Sequence, residues 1–309
     1  MALISEVADR IYEIRPEGNG FDRFPLCTVY LIVDEKLALV EAGCPIQAPE
    51  ITEAIEKLVD DVNKISYVIL THSHPDHVGG IGYMAQRMTN IQFIAYPVVG
   101  KLLSDQSALA KMMTGFKRTF GEDALDRFGA MLPVGEERFL SIQDGQSIPL
   151  GKRELRAIHT PGHDPYHLCF FDTGSKGLFC GDLLGGYLEE IDIVIPPQTV
   201  GTDFSLVLKS LEKLSEFNPT KLFFSHGSMV GNVEKHIQNS GKDIKNCQNI
   251  VHKGLLAGDD KKKIAEKLLE AYPNLSDMAT SQMSDPKYIQ RALRWVDSYT
   301  WYLKKMNML

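Results

Sequence analysis

The chain has 309 residues, of which 24% are charged, and its formal net charge is -7 at pH 7. A chain of this length can form one large domain or two ordinary ones, and it buries about 75% of its unfolded surface, so it needs no disulfides to fold. The acidic balance argues against a polyanionic partner such as nucleic acid or an anionic membrane surface.

The cysteines and the first residues bear on the location of the protein. There are five cysteines, an odd number, with no C-x-x-C pair, which predicts free thiols in a reducing compartment. The opening segment MALISEVADR carries acidic residues where a signal peptide needs an apolar stretch. No apolar run reaches the ~18 residues of a membrane span. We therefore predict a cytoplasmic protein without a membrane partner.

The first part of the chain predicts a strand meander followed by alternating helices and strands. The segments RIYEIRP, CTVYLIVD and KLALVEAG have the apolar, β-branched composition of strands. A helix is predicted at about 48–60, where Ile51, Ile55 and Leu58 share one face. The apolar run ISYVIL then predicts a buried strand, GGIGYMAQRM a helix, and IQFIAYP another strand.

Residues 98–132 interrupt this alternation with a mostly helical insertion. Its apolar positions include Leu103, Met113 and Phe116. One interpretation is a helical hairpin that packs on the body of the protein. The other is a lid or substrate wall, because flexible Met and Phe side chains suit an apolar acyl or aromatic group.

The second part repeats the alternation and ends in helices. ELRAIHTPGH, YHLCFFD, KGLFCGD and KLFFSHG predict strands, and SLVLKSLEKLSEF predicts an amphipathic helix. The order of elements predicts an α/β fold in which two packed sheets are covered by helices. We place a catalytic domain at 1–232 and a C-terminal helical domain at 233–309. In the last helix, the stripe that includes Leu293, Val296 and Leu303 predicts a core face or a homodimer contact.

The stretch THSHPDH, residues 71–77, places three histidines and an aspartate directly after the strand ISYVIL. Alternate residues at the mouth of a strand point the same way, so His72 and His74 can face one ion while Asp76 and His77 face a second. Zinc, iron and manganese accept this combination of imidazole and carboxylate ligands. The alternative is a polar loop whose side chains hydrogen-bond one another.

Three later strands also end in residues that can bind a metal. TPGH ends with His163, FCGD with Asp182, and FFSHG carries His226. Each of them alone is typical of a capping or hydrogen-bonding residue. Together with the first motif they supply five histidines and two aspartates, which suffices for two ions that share one carboxylate.

The four other histidines lie outside these motifs or flank them. His159 and His167 flank His163 and are expected to orient the metal ligands from behind. His236 and His252 lie in polar helical sequence, where we predict solvated side chains.

The motifs THSHPDH, TPGH, CGD and SHG, in this order over roughly residues 8–230, resemble the metallo-β-lactamase superfamily of hydrolases. The similarity is greatest to its glyoxalase II-like and beta-lactamase-like protein 2 branches. It implies a four-layer αββα sandwich with the site at the open edge of its two sheets. It also implies one metal ion on His72, His74 and His163, a second on Asp76, His77 and His226, and Asp182 between them.

The chain departs from the family pattern at two places. Family members usually carry Asp-Thr-Gly at the end of the third strand, where this chain has Glu41-Ala42-Gly43. We expect the longer acid to alter the support of the metal ligands. After His163 the chain reads DPYH instead of the Thr-Pro-Gly-His/Ser that is common in the family. Tyr166 or His167 is therefore expected to reach the pocket.

The ligand set implies two zinc ions, with iron or manganese as the alternatives. Zinc lowers the pKa of bound water to about 7, so a metal-bridging hydroxide would attack a small ester, thioester or lactone. Asp76 is the expected catalytic residue for proton transfer, and Ser73 is expected to be structural. A nuclease or phosphodiesterase, and an iron-dependent oxidoreductase of the persulfide dioxygenase type, remain alternatives on the same fold.

Overall fold

The computed structural model describes residues 1–16, 27–271 and 286–309. The strands of the first sheet are β1 (Leu3–Ala8), β2 (Ile11–Arg15), β3 (Val29–Ile32), β4 (Leu37–Val40), β5 (Ile65–Ile69), β6 (Gln92–Ala95) and β7 (Phe139–Ser141). The later strands are β8 (Ser147–Pro149), β9 (Glu154–His159), β10 (Leu168–Asp172), β11 (Gly177–Phe179), β12 (Gly186–Leu188), β13 (Ile193–Ile195), β14 (Lys221–Phe223) and β15 (Met229–Val230).

Helices alternate with these strands and then fill the C-terminal part. Those of the first half are α1 (Ala48–Leu58), α2 (Pro75–Val78), α3 (Ile81–Arg87), α4 (Pro97–Ser104), α5 (Gln106–Phe120) and α6 (Ala124–Phe128). Those of the second half are α7 (Phe204–Ser215), α8 (Val233–Leu256), α9 (Lys261–Glu270) and α10 (Pro286–Lys305).

The strands form two mixed sheets and a small hairpin. The first sheet has the order β1-β2-β3-β4-β5-β6-β7, antiparallel from β1 to β4 and parallel from β4 to β7. The second has the order β15-β14-β11-β10-β9-β8, and its β11 and β14 strands are parallel. The β12–β13 hairpin stands apart from both sheets.

The first sheet contributes side chains to two apolar layers, one on each of its faces. On β3, Leu31 packs beneath the helices of the first half, whereas Tyr30 and Ile32 lie between the two sheets. On β4, Leu39 and Val40 divide in the same way. Successive side chains of a strand point to opposite faces, so a continuous apolar run is what a strand covered on both faces requires.

A third apolar layer completes the sandwich. Leu178, Leu222 and Phe224 of the second sheet and its following loop pack with the helices of the second half. The order is therefore helices, sheet, sheet, helices, and the predicted four-layer αββα fold is confirmed.

The insertion at 98–132 forms α4, α5 and α6 and contributes to the core. Leu103, Leu109, Met113, Phe116 and Phe128 are buried in the layer beneath the first sheet. The insertion therefore packs on the body of the protein, as the first interpretation predicts. Its role as a lid or substrate wall stays a prediction.

The C-terminal helices share a hydrophobic core with the second sheet. Val251, Leu268 and Val296 belong to the same buried cluster as the sheet residues. The ring of Tyr299 stacks on that of Phe204 in α7, with centroids 4.0 Å apart and planes 7° apart. The stripe on the last helix is thus a core face, while the domain boundary at 232 stays a prediction.

Asp260 caps the start of α9, where its side chain accepts a hydrogen bond from the backbone N–H of Lys263. Across the residues that the structure describes, no helix combines the length and apolarity needed to cross a bilayer. The five cysteines are all buried and free of disulfides, as expected.

We predict that Phe204→Ala lowers the free energy of unfolding by about 3–5 kcal/mol, because it removes a fully buried ring from the stack with Tyr299. Guanidinium unfolding followed by far-UV circular dichroism measures this loss. Leu256→Ala is the control, since Leu256 is 69% exposed and its removal should change stability by about 0.5 kcal/mol or less. Two separate unfolding transitions in the wild type would contradict the shared core.

Candidate metal centre

The THSHPDH motif lies in the connection between β5 and α2. The strand ends at Ile69, so His72 and His74 lie in the irregular loop that follows the mouth of the strand. His74 precedes α2, and Pro75 occupies its first turn, where the missing proline N–H leaves no hydrogen bond unmade. The short helix then turns Asp76 and His77 back toward the loop.

Three imidazole nitrogens converge in a first cluster. Nδ1 of His74 lies 3.0 Å from Nε2 of His72 and 2.9 Å from Nε2 of His163. A carboxylate oxygen of Asp182 completes a group whose candidate ligand atoms all lie within 4.8 Å of one another. His72 and His163 are buried, so solvent does not reach this cluster from the interior of the protein.

A second cluster lies next to the first and joins Asp76, His77 and His226. Oδ2 of Asp76 lies 3.4 Å from Nε2 of His226 and 3.7 Å from Nε2 of His77. The rings of His72 and His77 have centroids 4.1 Å apart, so the two clusters are in direct contact.

Asp182 lies between the two clusters and gives one oxygen to each. Its Oδ1 is 3.3 Å from Nε2 of His77 and 3.4 Å from Nε2 of His226. Its Oδ2 is 3.4 Å from Nε2 of His163. The structure therefore brings together all seven predicted site residues, while their roles as ligands stay a prediction.

The side-chain chemistry of the clusters fits cations. Nε2 of His77 and Oδ1 of Asp182 are buried and make no hydrogen bond within the described part of the chain. Buried polar atoms without partners are costly, and imidazole nitrogen with carboxylate oxygen is a donor set that zinc accepts. The convergence of these atoms on one another is what a pair of ions would require.

Electrostatic coupling within the site is strong. Burial lowers the pKa of His72 and that of His163 well below 6.5, with neighbouring histidines adding to the effect. Burial would also lower the pKa of His226, but the carboxylates of Asp182 and Asp76 outweigh it and raise the pKa to about 10. Burial would raise the pKa of Asp76, but His77 and His226 lower it to about 2. The carboxylates are thus held in the charged form that binds cations.

Glu41 orients His77 toward the site. Nδ1 of His77 lies 3.1 Å from Oε1 of Glu41, and a carboxylate only accepts, so Nδ1 carries the hydrogen. Burial would lower the pKa of His77, but Asp182 and Asp76 help to raise it well above 6.5. Once His77 gives up its second proton to bind a metal, the lone pair of Nε2 lies on the side of Asp182 and Asp76. This is the arrangement by which an outer carboxylate fixes the tautomer of a metal-binding histidine.

Glu41 acts on His72 in the same way, through Thr71. The hydroxyl of Thr71 donates to Oε1 of Glu41 at 2.6 Å, so it accepts from Nδ1–H of His72 at 2.9 Å. Ser225, which precedes His226, also donates to Oε1 of Glu41, at 2.9 Å. One buried carboxylate therefore supports ligand-bearing segments from both clusters.

The backbone at Glu41 is in the left-handed region, with φ 70°. A non-glycine residue rarely adopts this conformation, and where it persists the surrounding contacts hold it in place. The departure from the family's aspartate thus has a structural account: the longer side chain reaches Thr71, Ser225 and His77 together.

Ser73 and Asp164 link the first motif to the second. The hydroxyl of Ser73 donates to Oδ2 of Asp164 at 2.8 Å, away from the clusters, as expected for a structural role. Oδ1 of Asp164 accepts from the backbone N–H of Tyr166 at 2.6 Å. Because Asp164 directly follows His163, this contact ties two segments that bear candidate ligands.

The other histidines and Tyr166 are placed as follows. His159, which we expected to orient the ligands, instead contacts the carbonyl of Pro165 and stacks on Tyr96, and the described residues show no contact between it and the clusters. Tyr166 stacks on the same Tyr96 ring, and His167 is fully buried.

The prediction of a solvated side chain is wrong for His236. His236 is only 2% exposed and lies 3.3 Å from Asp192, because α8 packs this face against the body. His252 is partly buried and lies 3.0 Å from the carbonyl oxygen of Met308.

Sequence reasoning did not single out Thr71, Ser225 or Asp164. Each is adjacent in sequence to a predicted ligand, and that adjacency was the available signal. Their partners lie 30, 184 and 91 residues away, so only the fold reveals these contacts.

We predict that Glu41→Ala destabilises the protein by about 3 kcal/mol, because it leaves the buried Thr71, Ser225 and His77 groups without their acceptor. Glu41→Gln retains an oxygen at the Oε1 position and should lose less. Glu35→Ala, an exposed glutamate of the same meander, should have little effect. Equal denaturation midpoints for the Ala and Gln variants would contradict this role.

Comparison with known proteins places this site in a wider context. The metallo-beta-lactamase fold-containing protein ST1585 of Sulfurisphaera tokodaii is 26% identical over 219 residues, covering 70% of this chain and 79% of that protein. The solved structure of ST1585 from the archaeon Sulfolobus tokodaii superposes on this chain with a TM-score of 0.63 at 24% identity. The superposition covers 75% of this chain and 84% of the other, and the two share the same fold.

Two further relatives represent the branches that the motifs resemble. The beta-lactamase-like protein 2 homolog of Caenorhabditis elegans is 25% identical over 76% of this chain and 67% of its own length. A hydroxyacylglutathione hydrolase of Prochlorococcus marinus is 28% identical over 44% of this chain and 43% of its own length. The family model of the metallo-beta-lactamase superfamily matches residues 22–226, which span THSHPDH, His163, Asp182 and His226. The chain belongs to the metallo-beta-lactamase superfamily.

Proposed function

We propose that this protein is a binuclear metal-dependent hydrolase, with zinc as its metal, that acts on a small ester, thioester or lactone. The observation that carries the proposal is the division of the Asp182 carboxylate, one oxygen toward each cluster of candidate ligands. A single-ion site would have no use for a second cluster of donors beside the first. Superfamily membership supports metal-dependent hydrolysis in general.

Each residue has an assigned role in this proposal. One ion would be held by His72, His74 and His163, the other by Asp76, His77 and His226, with Asp182 shared. Two zinc ions would supply Lewis acidity and lower the pKa of water for attack on a carbonyl. No serine or cysteine nucleophile is then required, which agrees with the contact of Ser73 with Asp164 and with the burial of all five cysteines.

Asp76 is assigned the transfer of protons. Its side chain is 20% exposed, compared with 13% for Asp182, so it is the more open of the two aspartates. Burial would raise its pKa, but His77 and His226 lower it, so the carboxylate stays charged and can accept a hydrogen bond from water at the site. Glu41 and Thr71 meanwhile keep two imidazoles in the tautomers that leave Nε2 available.

The proposed substrate class rests on charge, relatives and the insertion. A net charge of -7 disfavours a polyanionic substrate such as RNA. One relative is named a hydrolase of hydroxyacylglutathione, which is a thioester. Helix α5 of the insertion lies beside α2 of the THSHPDH motif, which supports its proposed role as a wall of the substrate site.

We expect two metal ions per chain, and Asp76→Ala or His77→Ala should retain one of them, because both residues belong to the second cluster. Elemental analysis of purified protein counts the ions and separates zinc from iron. His159→Ala is the matched control and should retain both, since its contacts are with Pro165 and Tyr96. One ion bound to the wild type would contradict the binuclear site, and one iron would favour the oxidoreductase alternative.

On a panel of thioesters, lactones, phosphodiesters and short RNA, we expect turnover of a thioester or a lactone. Asp182→Ala should reduce turnover by more than ~100-fold, because changes to residues behind the ligands alone cost about 10–100-fold. Ser73→Ala should keep most activity, since its hydroxyl contacts Asp164 and not the clusters. Efficient RNA cleavage would contradict the substrate class, and an inactive Ser73→Ala protein with full metal content would contradict the mechanism.

A further inference from the structure

His167 contacts the backbone of Asp182, the residue shared by both clusters. The N–H of Asp182 donates to Nε2 of His167 at 3.2 Å. A backbone N–H only donates, so Nε2 accepts and the hydrogen of the neutral ring is on Nδ1. The contact therefore requires one protonation state and one tautomer of His167.

A relay of hydrogen bonds holds His167 in that tautomer. Nδ1 of His167 lies 2.9 Å from Oγ1 of Thr160, which accepts from the ring N–H. The Thr160 hydroxyl then donates to Sγ of Cys169 at 3.3 Å. The side chains of Thr160, His167 and Cys169 are fully buried, so water does not compete for these bonds.

The chain next to Asp182 runs directly against the ring of His167. A Cβ placed on Gly181 would lie 2.5 Å from Nε2 of His167 and 2.9 Å from Oγ1 of Thr71, and Gly181 has φ +49°. Only glycine allows this approach at that backbone conformation. The position of Asp182 is therefore set by a close contact with His167 on one side.

His167 is itself fixed by the second sheet and by the motif loop. It stands just before β10, and its carbonyl accepts from the N–H of Thr160 at 3.0 Å. The N–H of the next residue, Leu168, donates to the carbonyl of Thr71 at 2.7 Å. The backbone of His167 and Leu168 is thus tied to strand β9 and to the segment that carries His72, while the ring of His167 contacts Asp182.

We infer that His167 is a positioning residue for Asp182: its neutral imidazole accepts the Asp182 N–H and so fixes how the two carboxylate oxygens divide between the clusters. The inference rests on the proposed metal centre. The carboxylate lies 3.3 to 3.4 Å from histidines on both sides, so a shift of its backbone changes both distances at once. His167 does not touch the reacting atoms and acts only through Asp182.

Three substitutions separate positioning from packing. His167→Gln places an amide oxygen near the position of Nε2, where it can accept the Asp182 N–H. His167→Asn is shorter and reaches only toward Thr160. His167→Phe keeps the ring volume and has no acceptor. A packing role predicts that Phe is the best replacement, whereas a positioning role predicts that Gln is.

The test measures zinc affinity by competition with a chromophoric chelator, with Zn²⁺ as the only added ligand. We expect the Asn and Phe variants to bind zinc about 10–100-fold more weakly than the wild type, as changes to outer-shell partners do. The Gln variant should bind more tightly than either. His159→Gln is the matched control and should equal the wild type, since it changes a neighbouring histidine that contacts Pro165.

Circular dichroism establishes that each variant is folded before its affinity is compared. If the Phe variant does not fold, the order of Gln and Asn decides, together with Thr160→Val, which removes the acceptor for Nδ1 and should also weaken zinc binding. Equal zinc affinities for Gln and Asn, or a Phe variant that matches the wild type, would overturn the inference. If the wild type binds zinc but hydrolyses nothing on the panel, the proposed function fails while this comparison still tests His167.

Discussion

The burial of several imidazoles and carboxylates at one edge of the sandwich is the constraint on which the rest of the site depends. Buried polar groups are costly unless each finds a partner. The fold meets this requirement on the protein side by directing Nδ1 of His72 and of His77 to Glu41, directly or through Thr71. Among the described residues, the opposite ring nitrogens lie next to one another and to the aspartates, which is the arrangement that bound cations would stabilise.

The two halves of the chain meet at this site, so its geometry and the packing of the sheets depend on each other. His72, His74 and His77 come from the first half, and His163, Asp182 and His226 from the second. Ser73 with Asp164, and Glu41 with Ser225, join the halves by hydrogen bonds, of which the second is buried. Metal binding at such a place would add to the stability of the whole fold, because the ligands are assembled only when both sheets are packed.

Much of the fold could be predicted from the sequence, because the information is local. The apolar runs of β3, β5 and β10 predict buried strands, and the spacing of Ile51 and Ile55 predicts the buried face of α1. The seven candidate site residues could be singled out because they belong to motifs that follow strands. The burial of His236 could not be predicted, because its helical neighbours are polar and the contact with Asp192 comes from a hairpin 44 residues earlier in the chain.

The particular partners of the residues behind the site could not be predicted, and the case of Glu41 shows why. From sequence it is only a longer acid at a family aspartate position. In the fold, a left-handed backbone and the extra methylene bring one oxygen within 2.6 to 3.1 Å of Thr71, Ser225 and His77. An aspartate on this backbone would have a shorter reach to the same three donors. The substitution therefore extends the reach of the carboxylate while it keeps the charge that orients the histidines.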